Sequence, residues 1–93
     1  MKSLREKIID LLIENEGLTA KEICTLLDLE PNRIREIYSI LEKIAKIVKR
    51  KGLSLMVIYP KCKNCGFEFK KIKATKCPKC KSERIEDAKF TIR

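Results

Sequence analysis

At 93 residues the chain holds one small domain or two half-sized ones, so its core is thin and a further staple is expected. Lys and Arg number 22 against 13 Asp and Glu, a formal net charge of +9 that suits a polyanionic partner, with a heavily solvated surface as the plainer reading. The lack of His, of a nucleophile–base pair and of a phosphate loop argues against an enzyme, and no run approaches the ~20 apolar residues of a membrane span or reads as a targeting segment. A cytoplasmic protein is expected, with no membrane and no evident small-molecule substrate.

Ser3 followed by Glu6 makes a capping box, and Leu4, Ile8, Leu11 and Leu12 recur at helical spacing, predicting helix 1 over residues 4–15 with Gly17 as its stop. Ile9 and Ile13 lie off that stripe, as extra core or as the face of a homodimer through helix 1. Thr19 and Glu22 repeat the box ahead of Ile23, Cys24 and Leu27, a short helix 2 ending near Asp28. Pro31 suits the first position of helix 3, where its missing N–H costs nothing. Ile34, Ile37, Tyr38, Leu41, Ile44, Ala45 and Val48 then step by three and four residues. Lys46, Lys49, Arg50 and Lys51 complement the dipole at its end, and Gly52 breaks the pattern.

After Gly52 the period changes. Residues 53–59 have strand composition, and Pro60 stops the run. Phe67 and Phe69 alternate as a short strand, residues 70–76 form a basic loop, and 89–93 read as a last strand with Phe90 and Ile92 on one side. Charge is segregated along the way. Residues 1–30 carry four basic against seven acidic side chains, residues 31–59 seven against two, and residues 60–84 nine against two.

Cys62, Cys65, Cys77 and Cys80 form two Cys-x-x-Cys pairs with eleven residues between them. Two residues between ligands let one tight turn aim both sulfurs at a single tetrahedral ion, with Zn–S bonds of ~2.3 Å. One structural Zn²⁺ per chain is the expected occupant, and iron in a rubredoxin-type site is the alternative for the same thiolates. Four thiolates and one Zn²⁺ would lower the net charge to +7, still strongly basic. A disulfide framework would leave Cys24 unpaired, and no export segment accompanies it. Four thiolates leave no open coordination position, so the metal folds the chain and does no chemistry. Gly66 supplies the positive φ of the first metal turn, and Pro78 stiffens the second.

A short helix, a tight turn and a longer helix make a helix-turn-helix. The run from Leu18 to Glu36 resembles the winged helix-turn-helix of bacterial and archaeal transcription regulators, in which the position of Cys24 holds a small residue at a helix crossing. Followed by a four-cysteine ribbon, it resembles a family of small archaeal predicted transcription regulators over nearly its whole length. The resemblance implies an α+β fold: a three-helix winged helix-turn-helix over 1–59, a rubredoxin-like zinc ribbon over 60–84 and a terminal strand over 85–93. Strand 53–59 has no neighbouring partner, so 89–93 would complete the wing, with the ribbon inserted in it or appended to it.

Double-stranded DNA is then the expected partner. Arg33 and Arg35 suit guanine, Asn32 suits adenine, Ser39 lies on the same face, and Lys43 and the ribbon's Lys71 suit phosphate. Glu36 on that face opposes DNA unless it accepts from a cytosine amine. The alternative is an interaction module for protein or RNA within the transcription machinery, with the helices as scaffold.

Overall fold

The computed structural model describes residues 2–93. Helix α1 (Leu4–Glu14) opens where the Ser3 hydroxyl accepts from the Glu6 amide at 3.2 Å. It closes at Asn15, whose backbone amide and side-chain amide both donate to the Leu11 carbonyl, at 3.1 and 2.7 Å. The stop is therefore Asn15 in extended conformation and not Gly17. Gly17 matters for another reason: a Cβ there would lie 3.6 Å from Cβ of Lys89, so the chain passes close to the last strand. Strand β1 (Leu18–Thr19) leads straight into α2 (Ala20–Leu26), and Thr19 and Glu22 form a complete capping box.

Helix α2 ends in a Schellman motif. Asp28, at φ 54°, donates to Thr25, and Leu29 donates to Cys24 at 2.8 Å. A 3₁₀ turn, Pro31–Arg33, then feeds α3 (Ile34–Arg50), so Asn32 and Arg33 precede the regular helix. The end of α3 repeats the device: Gly52 at φ 78° donates to Lys49, and Leu53 donates to Val48 at 2.9 Å. Ile37, Leu41, Ile44 and Val48 recur on one face of α3 and are all buried, which is what their spacing by three and four requires.

The helices cover a three-stranded antiparallel sheet ordered β1-β5-β2, from β2 (Leu55–Ile58) and β5 (Lys89–Ile92). The last strand in sequence is thus the central one, and its Phe90, Thr91 and Ile92 are all buried. Phe90 stands opposite Leu18 on one side and Val57 on the other, with its ring edge-on to Tyr38 at 6.3 Å. The buried Thr91 hydroxyl lies 3.0 Å from the Asn15 carbonyl and 3.3 Å from that of Leu12, tying the last turn of α1 to the sheet. On α1, Ile9 packs against this core, and only Ile13 of the pair is left half exposed.

Beyond the sheet the same two segments continue as β3 (Lys61–Cys62) and β4 (Ile85–Glu86). Ser54 with Arg93, Leu55 with Ile92, Ile58 with Lys89, Lys61 with Glu86 and Lys63 with Arg84 all lie on one antiparallel register. Pro60, which has no N–H to give, and Asp87 lie where the ladder pauses. The ribbon is therefore the tip of one long two-stranded arm. Phe67 and Phe69 do not form the expected strand: Glu68 makes a single bridge to Lys61, and the two rings pack edge-to-face at 5.1 Å.

Candidate metal centre and the basic face beside it

Two turns of the same construction carry the four sulfurs. In the first, Gly66 donates to the Cys62 carbonyl at 3.0 Å and Cys62 donates to Phe67 at 2.8 Å. In the second, Lys81 donates to Cys77 at 2.8 Å and Cys77 donates to Ser82 at 2.9 Å. The equivalent residues Gly66 and Lys81 both have positive φ, 79° and 60°. Glycine adopts that conformation freely, whereas Lys81 holds it against the clash of its Cβ with its own backbone.

The four Sγ atoms lie within 4.8 Å of one another, and Cys62–Cys80 and Cys65–Cys77 approach to 3.5 Å. A tetrahedron of Zn–S bonds near 2.3 Å has edges of about 3.8 Å, so these sulfurs already span the right volume. Cys62 and Cys77 are buried, Cys80 is half-buried and Cys65 reaches the surface. The Asn64 side chain and then the Ser82 amide pull Cys80 down to about 6, whereas Cys65, although the Phe67 amide lowers it, is pushed up to about 12 by partial desolvation and by its bonds to the other three thiols. A bound divalent cation would hold all four as thiolates. The site is a closed four-cysteine zinc ribbon for one structural Zn²⁺. Cys24 stays apart, buried near the end of α2, with its backbone carbonyl accepting from the Leu29 amide.

The other polar residues singled out from sequence lie on α3, in the turn that leads into it, or on the loop facing it. Asn32, Arg35, Ser39 and Lys43 are exposed. Arg33 is engaged: its Nε and a terminal nitrogen meet both oxygens of Glu36, at 2.9 and 3.0 Å. Hydrogen bonding with Glu36 raises the Arg33 pKa, and the same bonds lower that of Glu36. Lys71 borders the opening beside α3 that Arg35 and Ser39 also line. Sequence reasoning did not anticipate that Ile72 packs against the core or that the Lys73 ammonium sits 4.9 Å from the Tyr38 ring centroid. The only forewarning was a single large apolar residue, Ile72, in a lysine-rich loop.

Three helices, a small antiparallel sheet and a four-cysteine ribbon on an extended arm define an α+β protein of the zinc-ribbon class. The chain belongs to the PF0610-like family: the PF0610-like N-terminal domain matches residues 3–56, and the PF0610 rubredoxin-like zinc beta-ribbon domain matches residues 60–93. It is similar to the solution NMR structure of protein PF0610 from Pyrococcus furiosus, with 39% identity, a TM-score of 0.81, and coverage of 97% of this chain and 88% of that one. A stretch of 51 residues is also 39% identical to the large-conductance mechanosensitive channel of Clostridium beijerinckii, spanning 55% of this chain and 34% of the channel. Among the described residues, no helix is long and apolar enough to cross a membrane.

Proposed function

We propose that the protein is a cytoplasmic, non-enzymatic transcription regulator that binds double-stranded DNA. In this reading α2 and α3 are the helix-turn-helix of a winged domain, β2 and β5 form its wing, and the zinc ribbon extends that wing. The observation that carries it is the exposed face of α3 and its leading turn. Asn32, Arg35, Ser39 and Lys43 are exposed there, and Arg35 and Ser39 share a groove with Lys71 and Lys73 of the basic loop. Arg35 is the better guanine reader, because Arg33 must first leave Glu36. Lys43 and Lys71 serve phosphate, and a homodimer through α1 would use Ile13.

Selection of bound duplexes from a random pool tests this. A motif should emerge, and Arg35→Ala should relax one position of it at a cost of about 1–3 kcal/mol. Lys71→Ala should weaken all duplexes alike and reduce the salt slope by about one. No enriched motif, with residual affinity lost at physiological salt, sinks the reading. Half-exposed Met56, Ile58 and Tyr59 on the edge strand and just after it favour the second reading, an interaction module.

A further inference from the structure

A groove of about 620 Å³ runs between α3, β2 and the ribbon loop, a volume within the range of small-molecule sites, roughly 300–1,000 Å³. Its floor is apolar. Tyr38 comes from α3, Leu55 and Val57 from β2 and Ile72 from the loop. All four pack on the core yet remain partly exposed, so a ligand that dried them would gain hydrophobic free energy. The rim is cationic, with Arg35 on the helix wall and Lys71 and Lys73 on the loop wall, against the single carboxylate of Glu42. Lys73 leans over the Tyr38 face, which brings one charge above the floor itself.

Such a site discriminates by charge as well as by shape. A neutral apolar molecule would cover the floor but desolvate the rim cations without pairing them, and a cationic one would be repelled. An apolar body with one anionic head satisfies both layers, and the guanidinium of Arg35 matches a carboxylate in two-point geometry. We propose that this groove binds a small amphipathic organic acid, its ring or chain laid on Tyr38, Leu55, Val57 and Ile72 and its carboxylate held between Arg35 and Lys71. Binding itself needs nothing from the regulator reading. A second consequence does rest on that reading: the acid occupies two proposed DNA contacts, so it competes with DNA and acts as the effector.

The binding test uses the whole zinc-loaded chain and the fluorescent anion anilinonaphthalene sulfonate, displaced by decanoate, decanol or decylamine. Decanoate should displace the probe at least about tenfold better than decanol, because a hydrogen bond to a charged group is worth that much, and decylamine should be worst. Lys71→Glu should erase the preference for decanoate, while the charge-matched change Lys7→Glu on α1 should keep it. Ala45→Trp, which fills the groove wall, should weaken probe and decanoate alike, with a melting curve confirming that the variant folds. Equal displacement by decanol and decanoate, or loss of the preference in Lys7→Glu as in Lys71→Glu, overturns the proposal. Decanoate binding without any selected DNA motif would sustain the groove and sink the regulator, whereas a motif whose affinity ignores saturating decanoate would refute competition.

Discussion

Replacing Phe90 with Ala should cost about 3–5 kcal/mol, the range for removing a fully buried aromatic ring. Phe90 is 1% exposed and lies where every layer meets: it pairs across the sheet with Leu18 and with Val57, and its ring touches Tyr38 of α3. Leu18 and Val57 cannot collapse into the gap without moving a strand, which argues for the upper part of the range. A domain of this size is stable by about 5–15 kcal/mol, so one residue near the C-terminus would remove about a quarter or more of the total. At roughly 4–8 °C per kcal/mol the melting temperature should fall by more than 10 °C. Urea and thermal melts followed by far-ultraviolet circular dichroism read the helices, which contain no part of β5. Met56→Ala, one residue away in the facing strand but 51% exposed, should stay within about 0.5 kcal/mol of the parent. A loss below 1 kcal/mol for Phe90→Ala, or an equal loss for Met56→Ala, would refute the claim that the last strand centres the core.

Thr91→Val keeps the shape but strips the Leu12 and Asn15 carbonyls of their hydroxyl partner, and should cost about 1–3 kcal/mol in the same melts. Lys81→Gly relieves left-handed strain of about 1–2 kcal/mol and loses about 0.5–1 kcal/mol to backbone entropy, so the zinc-loaded protein should be modestly stabilised. Purified protein should carry one zinc per chain by elemental analysis, retained in Cys24→Ser and lost in Cys62→Ser or Cys77→Ser, and released as pH falls because protons compete for the thiolates; a red iron protein would contradict this. Because Glu36 is lowered by Arg33, its carboxyl should titrate below the ordinary glutamate value by NMR and return to it in Arg33→Ala; the ion pair is present above that range and lost as pH falls through it.

The helices were legible because their ends are written locally. Thr19 and Glu22 close a capping box, Pro31 begins the turn into α3 and Gly52 takes the positive φ of a Schellman stop. The metal ligands were legible for the same reason, since two residues between cysteines is a local spacing. Pairing of residues 53–59 with 89–93 followed from a lone strand needing a partner, and it is found at 55–58 with 89–92. What escaped depends on partners far away. β1, β3 and β4 have two residues each, too few for any period to show, and exist because β5 or one another fixes them. Phe67 and Phe69 alternate like a strand, but their rings satisfy each other and leave only one bridge. Lys81 at positive φ has no signal of its own; only its equivalence to Gly66, four residues after the first cysteine of each pair, reveals it.

The single register explains why a zinc site is placed where it is. A two-stranded arm outside a sheet is marginal in water, and Pro60 removes one of its ladder bonds. At its base the arm is held by Phe90, between β1 and β2. At its tip no comparable hydrophobic contact exists among the described residues; Phe67 and Phe69 are only half-buried. Four thiolates on one ion replace the missing core there, and a slip of one residue would move Cys62 to the wrong face. Metal at one end and Phe90 at the other therefore fix the same register. The intervening loop, with Ile72 on the core and Lys73 over Tyr38, is held against α3 as a consequence.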